Sequence, residues 1–334
     1  MAEYSPMMQH YLATKKQYND CILFYRLGDF YEMFFDDAIT VSKELELTLT
    51  GKDCGQEERA PMCGVPFHAA ETYINRLVSN GHKVAICEQM EDPKLAKGIV
   101  KREVIKVVTP GTNLNAQALD ETKNNYLFCI YYQGDVIGVS ICDFSTGDYF
   151  VTELKSENEL IDEINKFVPS EIIVNEYFAM SGIDLTAVNE KLNISMSTLE
   201  NWYFDEDSSI KKLLSHFKIS ALDGLGVKDY PTGIIAAGAL LTYLYETQKS
   251  DMSHIITLTP YTTGKYMLID SSSRRNLELV ETLREKQKRG SLIWVLDKTK
   301  TAMGARALRS MIEQPLINKD EIINRQNVVE ELCN

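Results

Sequence analysis

No run of residues in this 334-residue chain is apolar over the roughly 20 positions a membrane helix needs, and Met1 is followed by polar residues rather than a signal peptide. A helical membrane protein and a secreted one are thereby set aside, and a cytoplasmic location is expected. Cysteine is sparse and unordered: seven residues, an odd number, with no Cys-x-x-Cys pair and no histidine at zinc-ligand spacing. Neither a disulfide framework nor a zinc module organises the chain; Cys87, Cys129 and Cys142 lie in apolar strings and read as buried free thiols. Also missing is any G-x-x-x-x-G-K-[ST] string. Gly51-Lys52 and Gly264-Lys265 lack both the upstream glycine and the following hydroxyl residue, so no P-loop for ATP is expected here.

An excess of positive charge is absent as well. The formal net charge is −13, which argues against a polycation that holds nucleic acid by charge alone. The deficit is local, however. Residues 120–262 carry 9 basic and 22 acidic side chains, whereas residues 265–310 carry 11 basic and 5 acidic. Another basic string, Lys94, Lys97, Lys101, Arg102 and Lys106, is interrupted only by Glu103. Affinity for phosphates follows such placement rather than the total, although charged runs are commonly just solvated faces.

What is present centres on residues 21–45. Cys21-Ile22-Leu23-Phe24-Tyr25 is a strand-like run of bulky residues, and Gly28-Asp29 is a turn signal. Phe30, Phe34, Ala38, Val41 and Leu45 then recur at spacings of four and three, which predicts a helix over 30–45 with Phe30 at its start. On spacing alone, Phe30 is the first core residue of that helix.

Residues 1–115 read as a mixed α/β domain. It has a helix at 7–16, strands at 21–26, 46–50, 83–89 and 103–108, a helix at 69–79, and a polar loop at 51–60. Residues 116–125 read as a linker. Residues 126–250 begin as a meander (126–132, 136–143, 148–153), continue with alternating helical and extended pieces, and end in an apolar helix at 233–247. That order suggests a ribonuclease H-like α/β fold. Residues 251–334 open with a short strand at 265–270 and turn helical, with helices at 292–296 and 303–312 and a cap at Asn318-Lys319-Asp320-Glu321. The fold class is thus multidomain α/β leading into an all-α region.

The string Phe24-Tyr25-Arg26-Leu27-Gly28-Asp29-Phe30-Tyr31-Glu32-Met33-Phe34 resembles the signature of the MutS family of DNA mismatch-recognition proteins. Pro6-Met7-Met8-Gln9, Pro61-Met62-Cys63-Gly64-Val65-Pro66, Ala85-Ile86-Cys87-Glu88-Gln89, Val108-Thr109-Pro110-Gly111-Thr112, Arg274-Arg275-Asn276-Leu277-Glu278 and Gln314-Pro315-Leu316 are similar to the family in the same order. The resemblance implies a mismatch-recognition domain, a connector and the beginning of a helical core or lever domain. It implies a chain that stops before the clamp and the ATPase domain, with ATP and magnesium needed only there. It also implies double-stranded DNA with mismatches or small loops as the ligand, a homodimer in the full-length form, and a MutL-type partner docking on the connector.

By the same resemblance Phe30 is the wedge at the mispaired step and Glu32 contacts the mispaired base. Leu27 and Asp29 flank the wedge, while Lys52, Lys97 and Lys106 are candidate phosphate contacts. Wedging makes physical sense, because a mispaired step unstacks and kinks more cheaply than a sound one. A carboxylate beside DNA penalises an intact duplex and finds a base-edge partner only at a mismatch, as the anion or after taking up a proton. Two other readings stay open. Ribonuclease H-like folds can be metal-dependent nucleases, for which Asp143 and Asp148 are the acids in view, and the acidic connector can be a docking module only.

Overall fold

Five consecutive apolar side chains in Cys21–Leu27 (β1) are buried, which is what a strand covered on both faces requires. The computed structural model describes residues 4–91, 100–113, 122–267, 269 and 271–333. The chain divides into two compact units, Met1–Ala118 with Tyr243–Met252, and Leu119–Thr242 with Ser253–Asn334.

In the first unit Pro6–Gln17 (α1) precedes β1, and Phe30–Phe34 (β2), Phe35–Glu44 (α2), Thr50–Lys52 (β3), Ala60–Pro66 (β4), Ala70–Ser79 (α3), Lys83–Gln89 (β5) and Arg102–Val108 (β6) follow. The strands form one six-stranded sheet in the order β3-β4-β2-β1-β5-β6. Ile22 and Phe24 of β1 face α2 and α3, packing with Ala38, Val41, Ile74 and Leu77. Leu23 and Tyr25 point the other way and pack with Met8 and Tyr11 of α1.

Residues 30–34 correct the helical expectation. They are a strand, and the helix is confined to Phe35–Glu44. A spacing of four also suits a period of two, and this segment is hydrogen-bonded on both sides, to β1 and to β4. Phe35, at φ 54°, turns the chain from strand into helix. The strand expected at 46–50 lies at Thr50–Lys52, and the loop expected to reach residue 60 gives way there to β4, whose residues 61–66 were legible only as a motif.

The second unit holds Tyr126–Tyr132 (β7), Ile137–Asp143 (β8), Asp148–Leu154 (β9), Glu157–Phe167 (α4), Glu171–Asn175 (β10), Glu176–Met180 (α5), Thr186–Leu192 (α6), Ser195–Leu199 (β11), Glu206–Phe217 (α7), Pro231–Gln248 (α8, counted here as far as Thr242), Thr259–Pro260 (β12), Ser271–Asn276 (α9), Leu292–Leu296 (α10), Ala302–Glu313 (α11) and Lys319–Cys333 (α12). Its sheet runs β11-β10-β7-β8-β9-β12. β7, β8 and β9 are antiparallel, β10 and β11 continue in parallel beyond β7, and β12 lies parallel to β9. Chain beyond residue 250 therefore still contributes a strand to this sheet. The strand expected at 265–270 is reduced to a single bridge between Tyr266 and Leu316, with residues 268 and 270 outside the described set.

Gly238 of α8 lies against Ser209 of α7, so that a β-carbon there would overlap the Ser209 Cα. Gly238→Ala gains helix propensity yet forces α7 and α8 apart at a buried contact. It should cost about 1–3 kcal/mol, read as a lower denaturation midpoint.

Candidate nucleic-acid interface

The tip of the β1–β2 hairpin is built by two residues. Leu27 pairs with Phe30, and Gly28 between them has φ 59°, which a β-carbon would disfavour and which the first central position of a type II′ turn requires. Phe30, Glu32 and Phe34 share one face of β2, and that face emerges from the core. The Phe34 ring is buried against Tyr11, with centroids 4.8 Å apart, whereas Phe30 at the tip is 46% exposed. Leu27, half-buried, packs along the same cluster, and Asp29 is exposed in the turn.

Glu32 lies between these extremes. It pairs in register with Gly64, where a β-carbon would come within 3.5 Å of the Glu32 Cγ, so the glycine leaves the side chain its room. Its carboxylate is not alone. Lys52 Nζ, reaching from β3, sits 2.5 Å from Glu32 Oε2, with the two side chains 31% and 15% exposed. Lys52 is thus ion-paired, and Glu32 carries a compensating charge. Both residues share the face of Phe30, so Phe30, Glu32 and Lys52 lie along one face of the sheet.

The family model for MutS domain I matches residues 5–117, that for MutS domain II residues 125–256, and that for MutS domain III residues 272–334. The chain belongs to the MutS family. It is 64% identical over 332 residues to the DNA mismatch repair protein MutS of Lachnoclostridium phytofermentans, covering 99% of this chain and 36% of that one. It is 55% identical over 337 residues to that of Ruminiclostridium cellulolyticum and 53% identical over 335 to that of Acetivibrio thermocellus, covering 100% and 99% of this chain and 38% of each relative. The chain therefore spans little more than a third of these relatives.

In this MutS chain none of the described members of the basic string before residue 107, Lys101, Arg102 and Lys106, stands beside Phe30 as a free cation. Lys94 and Lys97 lie outside the described residues. Lys101 pairs with Glu103 at 2.7 Å. Arg102 is buried, donating from Nε to the Arg26 carbonyl and from Nη1 to the Val100 carbonyl, each at 2.8 Å. Lys106 is opposite Ile86, on the face of the sheet turned toward α2 and α3 and on strand β6, three strands from β2. Burial holds its ammonium below the usual lysine range, with Glu71 opposing. The structure does not bring Lys106 to the site.

Asp143, the first acid weighed for nuclease chemistry, is fully buried. Its carboxylate accepts from the Asn124 amide (2.7 Å), the backbone of Asn125 (3.1 Å), and the backbone and hydroxyl of Ser145 (2.8 and 2.6 Å). It ties down the β8–β9 turn. Among the described residues no three His, Cys, Asp or Glu side chains are grouped to hold a metal ion. Gly64 and Arg26, which shape the hairpin, were within quoted motifs, but only the register and contacts of the folded sheet give them a place.

Proposed function

We propose that this chain is the DNA-reading portion of a MutS-type mismatch repair protein, in which Phe30 enters a weakened base step from the minor groove while Glu32 meets the mispaired base. The observation that carries this reading is an exposed aromatic ring at the tip of a two-residue hairpin, next to an ion-paired carboxylate on the same face. A flat ring can stack on an unpaired base, and its insertion pays only where unstacking is cheap. Leu27 and Asp29 would line the groove beside it. Lys52 would contact phosphate once its pairing with Glu32 is exchanged for the DNA, and Lys97 remains a candidate backbone contact.

Within this reading residues 1–115 form the mismatch-recognition domain, 116–125 the linker, 126–250 the connector and 251–334 the start of a helical core domain. A ribonuclease H-like connector is supported by a sheet in which two parallel strands extend a three-stranded meander beyond its first strand. The reading asks no ATP or magnesium of these residues; it places homodimerisation with the full-length protein, a MutL-type partner on the connector, and the whole in the cytoplasm. Fluorescence anisotropy with matched, mismatched and single-base-loop duplexes at two salt concentrations tests it. The mismatched and looped duplexes should bind more tightly than the matched one at both salts; equal affinities would overturn it. Lys106→Gln should leave that ratio unchanged, since its side chain is on the other face of the sheet.

A further inference from the structure

The hairpin that presents Phe30 is held from behind by side chains that the wedge reading leaves unused. Arg26, opposite Tyr31 in register, points to the face away from Phe30. Its Nε donates to the Gly28 carbonyl at 2.5 Å, and its guanidinium carbon lies 3.9 Å from the centroid of the Phe67 ring. One Nη reaches Glu88 Oε2 at 3.4 Å, and the Tyr31 hydroxyl donates to the same oxygen at 2.6 Å. The backbone N–H of Phe67 donates to the Asp29 carbonyl at 2.9 Å. The Asp29 carbonyl is thus tied directly to a segment far away in sequence, and the Gly28 carbonyl only through Arg26, whose guanidinium reaches Phe67 and Glu88.

We infer that Arg26, with Glu88, Tyr31 and Phe67, is a buttress that fixes the angle of the Phe30 ring and so sets how well the chain distinguishes mismatched from matched DNA. The inference rests on the wedge reading above and names its positioning residues. A ring pushed between stacked bases is pushed back by them, and a two-residue turn at the end of a sheet is where local opening is cheapest. Stacked contacts and hydrogen bonds behind the turn raise the cost of that opening. Arginine suits the place, since a planar guanidinium stacks its face on Phe67 while its edge donates to the Gly28 carbonyl and Glu88, whereas a lysine ammonium has no flat face to stack. Tyr31 stays a donor throughout, because burial and its bond to Glu88 push its hydroxyl up to about 12. Arg26 thereby links Glu88 of β5 to Phe67, the residue that follows β4.

Two variants of this chain test it, Arg26→Met, which keeps the aliphatic stem, and Tyr31→Phe, which removes one hydroxyl and folds even if the first does not. Arg26→Met should lower the ratio of mismatched to matched affinity about tenfold and Tyr31→Phe about threefold. Matched-duplex affinity and the salt slope should stay unchanged. Hydrogen exchange should quicken at the amides of residues 28–30 and 67 in both variants, while those of Leu23 and Phe24 hold. An unchanged ratio in variants of a chain that does discriminate would overturn the inference, as would unaltered exchange. A salt slope reduced by about one would overturn it too, because Arg26 would then be a phosphate contact. Should the unsubstituted chain show no preference, the wedge reading fails, and the exchange measurement alone still decides whether the buttress exists.

Discussion

Phe30→Ala erases the preference for mismatched over matched duplex and leaves weak, salt-sensitive binding. Truncating an aromatic side chain that stacks on a base costs about 1–3 kcal/mol, so mismatched affinity should fall by about five- to 150-fold, while matched affinity, which gains nothing from the ring, should barely move. The geometry separates this loss from unfolding. Phe30 is 46% exposed and ends its buried stripe, whereas Phe34, two positions further along the same face, is sealed against Tyr11. The thermal midpoint of Phe30→Ala should therefore stay near that of the parent, with a stability change within about 0.5 kcal/mol. Anisotropy titrations beside a melting curve check both halves. An undiminished mismatch preference in a folded Phe30→Ala chain would sink the wedge.

Glu32→Gln tightens binding to matched duplex, and the ion pair gives this expectation its size and its control. With the carboxylate gone, Lys52 loses its partner at 2.5 Å and its charge is free for a phosphate. One added phosphate contact steepens the salt slope by about one. Matched affinity should rise several-fold at low salt, so the mismatch preference shrinks from the matched side. Lys52→Gln should act in the opposite sense, leaving the Glu32 carboxylate uncompensated beside the groove and weakening every duplex. Titrations of both variants at two salt concentrations read this directly. Matched affinity that is unchanged or weaker in Glu32→Gln would show that the acid does not guard against sound DNA.

These two expectations show where sequence and structure part. The strand at 21–27, the turn at Gly28-Asp29 and the helix at 70–79 were legible because a continuous apolar run, a glycine able to take positive φ and a 3.6-residue stripe are each local signals. The step from Phe30 to Phe34 was not, because a spacing of four fits both periods and only pairing with β1 and β4 selects the strand. That choice matters to the site. A helix would have turned Phe30 onto the core stripe, whereas the strand carries it past the cover of α1 into solvent.

The order of motifs and the two-residue spacing of Phe30 and Glu32 were determined by the sequence itself; that the two share a face followed only once the segment was a strand, where side chains alternate with a period of two. Tertiary structure alone decided the partners. Lys52 comes from β3 to neutralise Glu32, Arg102 is consumed by the Arg26 and Val100 carbonyls, and Lys106 is turned to the opposite face. Ion pairs and faces depend on which strands become neighbours, and strand order is set by the burial of the whole sheet rather than by any one segment of it.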